Sequence, residues 1–204
     1  MFHFKDGSLF DETVVFSQRR IFRILKYRLL QKGPAFKEPM TFTIDGASGH
    51  VNVRYTEKNG EEESVDAQLN LPPNLANGLI FTLLKNVHPG TPQITLAVVA
   101  ATPKPRIVKL LISREGDDEW FKVGNSAHKA IRYGVKVEIG GVTAVVAPLV
   151  GKQPSDAHVW ILDAEVPVFV RSEGPLSSGD QMWRVDIASP VWKQNSAEDS
   201  PRQR

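Results

Sequence analysis

The sequence predicts a mainly β protein, in which a curved antiparallel sheet forms a half-barrel or flattened barrel and one helix packs across its concave face. Apolar and polar residues alternate over 131–139, so one face of this strand is expected to be buried and the other wet. Similar runs recur along most of the chain and are separated by turn residues. One stretch, 74–87, instead has apolar residues at helical spacing.

The predicted strands are short runs that alternate with a period of two or are continuously apolar, with turn signals between many of them. In chain order they cover 2–5, 9–16, 40–44, 51–55, 61–71, 94–101, 107–113, 120–123, 131–139, 142–150, 158–162, 166–171 and 182–187. Gly140 and Gly141 separate two of these runs and predict a β-hairpin at that point.

The one predicted helix covers residues 74–87. Asn74 is its predicted N-cap, and His88, Pro89 and Gly90 are expected to end it. A wide apolar stripe of this kind needs a sheet to pack against, and a gap between the two would be an apolar pocket. The stripe consists of Leu75, Ala76, Leu79, Ile80, Leu83, Leu84 and Val87.

Length and composition indicate one β-rich domain over residues 1–192, followed by a polar, disordered tail over 193–204. The chain starts directly with strand-like sequence and shows no signal peptide, so we expect a domain truncated at its N-terminus. The absence of cysteine excludes disulfides and thiolate chemistry, and no apolar run is long enough to span a membrane as a helix.

Residues 19–32 contain most of the positive charge, and their secondary structure is ambiguous. Their apolar residues have helical spacing, yet the preceding strand could simply continue through them. The segment contains no acidic residue, and without its basic side chains the net charge would fall from +2 to −4. Those basic residues are Arg19, Arg20, Arg23, Lys26, Arg28 and Lys32.

Two interpretations of the basic segment 19–32 stay open. It could form a peripheral contact with an anionic membrane or bind a phosphate backbone. It could instead be an edge strand whose bases prevent sheets from joining edge to edge, the interpretation we favour because the flanking apolar residues fit a sheet. With a net charge of +2 and no recognition module, no nucleic-acid partner is predicted.

No residue pattern indicates a catalytic or metal centre, and no cofactor is predicted. The run 124–128 loosely resembles a nucleophile elbow, but we interpret it as a turn because a strand rather than a helix follows it. The loops 100–106 and 151–160 are better candidates, since they bring cations, prolines and an aromatic side chain to strand boundaries. The ligand contacts predicted from them are Lys104, Arg106, Lys152, His158 and Trp160.

Six stretches of the chain carry a family resemblance. They are His-Phe-Lys-Asp-Gly-Ser at 3–8, Leu-Pro-Pro-Asn-Leu-Ala-Asn-Gly at 71–78, Ala-Thr-Pro-Lys-Pro-Arg at 101–106, Ala-Pro-Leu-Val-Gly-Lys-Gln-Pro at 147–154, His-Val-Trp-Ile-Leu at 158–162 and Val-Arg-Ser-Glu-Gly-Pro-Leu at 170–176. Together they resemble an uncharacterised family of exported bacterial β-rich proteins over nearly all of residues 2–192. The resemblance implies a periplasmic or secreted location, with a leader and further strands ahead of this chain. More distantly, the pattern resembles the half-barrel of the Lol-type lipoprotein carriers, which implies an apolar cavity for acyl chains.

The leading functional hypothesis is a non-catalytic exported protein that binds a lipid or another apolar ligand between sheet and helix. Phe81, Leu83, Tyr133 and Val135 are predicted to line that pocket. The alternative is a structural or interaction module of the bacterial cell envelope, with a filled core and an exposed edge or basic strand that meets a partner. A hydrolase whose polar residues converge only in the fold is a third, less favoured hypothesis.

Overall fold

The computed structural model describes residues 1–57, 59–88, 90–116, 119–123, 126–138, 156–176 and 182–188. In this part of the chain, thirteen strands form two antiparallel sheets that are accompanied by one short helix. The second strand of the predicted hairpin, 142–150, lies outside the described residues, as do Gly140, Gly141 and the predicted tail 193–204.

The first sheet contains six strands in the order in which they occur in the chain. Each is antiparallel to the next, so every connection joins two neighbouring strands. The strands are β1 (Phe2–His3), β2 (Leu9–Gln18), β3 (Phe22–Lys32), β4 (Met40–Asp45), β5 (His50–Thr56) and β6 (Glu62–Gln68). Their alternation buries one face of the sheet, where Phe42, Ile44, Val51 and Val53 are almost completely inaccessible to solvent.

The second sheet contains the remaining seven strands. They are β7 (Gln93–Ala100), β8 (Arg106–Arg114), β9 (Glu119–Val123), β10 (Ser126–Glu138), β11 (Ala157–Leu162), β12 (Phe169–Pro175) and β13 (Met182–Asp186). Their order is β13-β12-β11-β10-β8-β7, and β9 pairs with β10. The long strand β10 pairs with β11 on one edge. On its other edge, its first half pairs with β9 and its second half pairs with β8.

The prediction of a mainly antiparallel β protein is confirmed, but the prediction of one strongly curved sheet is wrong. The described strands form two sheets, and neither of these is closed or strongly curled into a half-barrel or flattened barrel. Strand pairing stops after β6, where Pro72 and Pro73 lack the N–H groups that a further ladder would need. The next strand, β7, therefore starts a separate sheet.

The helix is shorter than predicted and starts later. The single helix of the described chain, α1, covers Ile80–Leu84 rather than 74–87, and its N-cap position is Leu79 instead of Asn74. Gly78 has a φ of +69°, a left-handed conformation that interrupts any helix passing through it. The apolar spacing that predicted a longer helix therefore has another origin.

Two asparagine side chains form hydrogen bonds that join the segment before α1 to the outer edge of β7. The Asn77 Nδ2 donates a hydrogen bond to the Val99 carbonyl at 3.0 Å, and the Asn77 Oδ1 accepts one from the Val99 N–H at 2.9 Å. The Asn74 Nδ2 donates to the Thr95 carbonyl at 3.1 Å. These side-chain amides bind backbone groups of β7 that a neighbouring strand would otherwise pair with. Residues 74–77 therefore follow β7 instead of forming a helical turn.

Residues 75–84 pack against both sheets. Leu75 and Leu79 are buried in the core of the first sheet, whereas Ala76 and Leu84 are buried in the core of the second. Leu83 is half-buried and contacts both cores. The predicted contact between helix and sheet is therefore present, but α1 leaves no gap beneath Leu84, which is 1% exposed.

The ambiguous segment 19–32 is mostly strand β3. A β-bulge makes Leu25 an extra residue without a partner in β2. Because of this extra residue, Ile24 and Tyr27 are both buried in the core although they are three positions apart, which mimics the spacing of a helix. The interpretation of the segment as an edge strand is wrong, because β3 lies between β2 and β4.

The turn after β4 holds this bulge. The Gly46 N–H donates to the Leu25 carbonyl at 2.9 Å. The adjacent Asp45 carboxylate accepts hydrogen bonds from the N–H groups of Ser48, at 2.8 Å, and Ala47, at 3.0 Å. The hydrogen bonds from Ser48 lower the pKa of Asp45 below its ordinary value of 3.8, because they favour the ionised form.

This lowered pKa predicts a specific contribution to acid sensitivity. A carboxyl whose pKa is lower in the folded state stabilises the fold above its unfolded pKa, and this contribution is lost as the pH falls through the folded pKa. We expect Asp45→Asn to keep the turn but to abolish this contribution. The stability difference between wild type and variant, measured by urea unfolding, should therefore shrink as the pH falls below 3.8. A difference that stays constant down to pH values where the wild type begins to unfold would contradict the assignment.

Candidate functional site

A groove of about 570 Å³ lies between the tip of the β2–β3 hairpin and the surface formed by α1 and the start of β7. We call residues 16–23 the hairpin tip. Most lining residues are apolar and the others are polar amides, apart from Arg20. The lining residues are Ile21, Phe22, Pro73, Leu75, Leu83, Val87, Ile94, Leu96, Gln18, Asn74, Asn86 and Arg20.

The hairpin tip extends beyond the strands on either side of it. On one side, β4 pairs with β3 only from Lys26 onward. On the other side, β1 pairs with β2 only at Leu9 and Phe10. Strand pairing with β1 and β4 therefore does not hold the tip. Its contacts include the packing of Phe22 against the core of the first sheet and the rings of Phe16 and Phe22, which lie 5.7 Å apart.

The β-bulge in β3 decides which face of the hairpin Ile24 and Phe22 occupy. On both sides of the bulge the inner face of β3 is apolar, with Phe22 and Ile24 before it in the chain and Tyr27 after it. Without the extra residue, strict alternation would direct Ile24 and Phe22 to the opposite face. The bulge therefore helps to place Phe22 where it lines the groove.

Arg20 is the one charged side chain among the described residues that line the groove. Its φ of 145° is a conformation that favours glycine, so a bulky cation occupies a position where the backbone is strained. A second cavity, of about 370 Å³, shares Pro73 and Leu75 with the groove and is bordered by Arg23. Arginines therefore stand beside both cavities.

The structure distributes the four predicted pocket residues among different places. Leu83 lines the groove. Phe81 points away from it and stacks on Phe169 with ring centroids 4.6 Å apart. Tyr133 and Val135 are buried in the packed core of the second sheet and do not line the groove.

The loop residues predicted to contact a ligand do not meet at the groove either. Lys104 and Arg106 are exposed at the connection between β7 and β8. His158 and Trp160 lie on β11, on the face of the second sheet opposite α1. Lys152 lies outside the described residues. A binding role for these residues stays a prediction.

His158 and Trp160 belong to a polar network on that opposite face. The Glu115 carboxylate lies 3.2 Å from the His158 Nε2 and 3.5 Å from an Arg132 guanidinium nitrogen. The guanidinium groups of Arg132 and Arg171 lie over the Trp160 ring, at 5.9 Å and 5.7 Å from its centroid. Ion pairing and cation–π contacts account for the proximity of these groups.

Three further sequence predictions concern a metal site, a nucleophile elbow and membrane-spanning helices. In the described residues, no group of three or more acidic, histidine or cysteine side chains is arranged to hold a metal ion. Ser126, the serine of the elbow-like run, is exposed at the start of β10, so a strand follows it as predicted. Within the same residues, no helix is both long enough and apolar enough to cross a membrane.

Sequence reasoning missed most of the groove. Ile21, Val87 and Ile94 lie far apart in the chain and converge only through the crossing between the two sheets. The sequence contained one local signal for this site. Ile21 lies among Arg19, Arg20 and Arg23, outside the alternating apolar pattern of the predicted strands.

Comparisons with known proteins gave no match: no family model, no curated protein and no solved structure is similar to this chain. The resemblance to exported bacterial β-rich proteins and the periplasmic or secreted location therefore stay predictions.

Proposed function

We propose that this protein binds an amphiphile, with the apolar chain in the groove and an anionic head group at Arg20, without catalysing a reaction. The observation that carries this proposal is the groove itself, an open, mainly apolar groove of about 570 Å³ with a single cation on its wall among the described residues. Ligand sites commonly have volumes of about 300–1,000 Å³ and combine apolar walls with a few polar groups.

The expected affinity follows from the size of the groove. Burying a methylene group contributes about 0.8 kcal/mol, so a chain of about ten methylenes would gain about 8 kcal/mol. Part of this gain is offset by the ordering of the chain, and the head group adds an ion pair. We therefore expect dissociation constants in the micromolar range.

Arg20 suits an anionic head group for chemical reasons. A guanidinium is planar and binds carboxylates or phosphates through two parallel N–H donors. Arg20 forms no ion pair or hydrogen bond with any described residue, so its donors are available. Carrying acyl chains in the bacterial cell envelope is the role that such binding would serve.

Filling the groove tests the proposal. We expect Val87→Trp to weaken the binding of a fluorescent fatty acid at least about ten-fold, because the indole would occupy the volume of several methylene groups. Val166→Trp is the matched control, since Val166 is exposed in the loop between β11 and β12 and does not line the groove. Fluorescence titration would measure both affinities, and urea unfolding would show that both variants are folded.

Equal affinities in wild type, Val87→Trp and Val166→Trp would contradict a site in the groove. Mass spectrometry of solvent extracts from the purified protein provides a second test. We expect a stoichiometric amphiphile in the wild type and a reduced amount in Val87→Trp. A wild-type protein that neither contains nor binds an amphiphile would overturn the proposed function.

A second candidate function is an interaction module of the cell envelope. Both sheets have packed cores, and the outward face of the β2–β3 hairpin exposes Val15 and Leu25. Beyond Phe10, the described residues also provide no neighbour for the free edge of β2. Concentration-dependent self-association that is lost in Val15→Lys, together with an empty groove, would favour this function over ligand binding.

A further inference from the structure

We propose that the hairpin tip docks this protein on an anionic phospholipid membrane, with Ile21 entering the interfacial region and Arg19, Arg20 and Arg23 contacting the head groups. This inference goes beyond ligand binding in the groove and does not require it. The partner is a bilayer surface that carries negative charge.

The shape of the hairpin makes its tip accessible to a flat surface. Residues 19–23 lie beyond the last pair that β3 forms with β4, at Lys26 and Asp45. They also lie far beyond the pairs that β1 forms with β2. The tip therefore protrudes from its sheet, as docking on a planar membrane requires.

The charge of the tip is positive and unneutralised. Residues 16–23 contain three arginines and no acidic residue. Arg19, Arg20 and Arg23 are exposed, and none forms an ion pair within the described residues. Arg28, further along β3, instead pairs with Asp11 at 3.3 Å. Three unpaired guanidinium groups therefore lie close together at the protruding end.

An apolar side chain stands at the centre of these charges. Ile21 is 52% exposed between Arg20 and Phe22, and Phe16, whose ring lies next to that of Phe22, is 37% exposed. The phosphate backbone of duplex DNA interacts mainly with positive charge, whereas a membrane interface binds positive charge together with exposed apolar side chains. The combination at the hairpin tip favours the membrane.

The same residues connect the membrane to the groove. Arg20, Ile21 and Phe22 belong to the tip and also line the groove. A docked tip would therefore bring the groove against the head-group layer, where an amphiphile could enter without crossing bulk water. This consequence rests on the proposed function, while the docking itself does not.

Vesicle binding by the whole protein tests the docking. We expect co-sedimentation with vesicles of equal parts phosphatidylcholine and phosphatidylglycerol, much weaker binding to phosphatidylcholine alone, and weakening by salt. An arginine near an anionic surface strengthens binding about five-fold, so changing Arg19, Arg20 and Arg23 to glutamine should weaken it about 100-fold. Ile21→Ser should weaken it about ten-fold at constant charge.

A matched control removes the same charge elsewhere. Changing Lys104, Arg106 and Lys122, three exposed cations outside the hairpin tip, to glutamine should reduce binding only slightly. An equal loss in both triple variants would show adsorption by net charge and overturn the proposal. Binding to duplex DNA that needs the tip arginines, without binding to the mixed vesicles, would overturn it as well.

A fluorescent label locates the contact directly. The chain contains no cysteine, so Ile21→Cys and Val166→Cys each provide a single attachment site for an environment-sensitive dye. We expect the emission of the dye at position 21 to shift to shorter wavelength on the mixed vesicles, while the dye at position 166 is unchanged. Vesicle binding without a shift at position 21 would assign the contact to another surface and overturn the proposal.

The groove variant separates this inference from the proposed function. Val87→Trp should still bind the mixed vesicles with wild-type affinity, because Val87 lies on the other wall of the groove. Vesicle binding with an unoccupied groove would remove the proposed function and leave the docking intact. Ligand binding in the groove without vesicle binding would overturn the docking and leave the proposed function intact.

Discussion

Replacing Asn77 with leucine is expected to destabilise the fold by about 2–5 kcal/mol, because the Val99 N–H and carbonyl would both lose their partner in a buried place. Each unsatisfied buried backbone group costs about 1–3 kcal/mol, and leucine is large enough to keep water out. Urea unfolding followed by far-ultraviolet circular dichroism would measure the change. A loss of this size is a large fraction of the total stability of an ordinary domain.

Asn74→Leu is the matched control for this prediction. Asn74 binds the same edge of β7 through one hydrogen bond, but its side chain is exposed, so water can replace it. We expect a loss of less than about 1 kcal/mol. If both variants lost equally little, the segment before α1 would be held by its apolar contacts and its backbone hydrogen bonds to Ala97, and not by the amide of Asn77.

Gly46→Ala is expected to cost about 3 kcal/mol, since a Cβ at this position would overlap the Ile24 carbonyl oxygen. The overlapping atom belongs to the backbone, so it cannot move aside as a flexible side chain can. The change would also strain the hydrogen bond from the Gly46 N–H to the Leu25 carbonyl, which holds the bulge. Urea unfolding would measure the stability, and the fluorescent fatty acid titration would measure the accompanying loss of groove affinity.

Gly90→Ala controls for the general effect of replacing glycine. Gly90 is exposed, has no positive φ, and its added Cβ would meet only the His88 ring at ordinary contact distances. The free energy of unfolding of the Gly90→Ala variant should differ from that of the wild type by less than about 0.5 kcal/mol. A Gly46→Ala protein as stable as Gly90→Ala would show that the bulge adjusts freely, and the position of Phe22 in the groove would then have another cause.

The alternating strands were predictable from sequence because their signal is local. Residues 40–44 and 51–55 bury one face and expose the other, and the structure places β4 and β5 at those positions. The segment 19–32 was ambiguous for an identifiable reason. Its bulge shifts the pattern by one residue at Leu25, and no local rule separates a bulged strand from a short helix there.

The helix prediction failed because a distant strand determines the conformation of residues 74–79. Asn74 has the chemistry of an N-cap, but its amide and that of Asn77 bind β7, about twenty residues further along the chain. The apolar residues at helical spacing are real, yet they contact two different cores. Spacing alone cannot show that a stripe is divided between two sheets.

The class of this protein, antiparallel β with one helical segment, and the cluster of positive charge near Arg20 can be read from the chain, because alternation and charge are properties of neighbouring residues. The division of the strands into two sheets, and the groove that Ile21, Leu83 and Ile94 share, become visible only in the folded molecule. They depend on the crossing after β6, where hydrogen bonds between residues far apart in the chain set the relative positions of the two sheets.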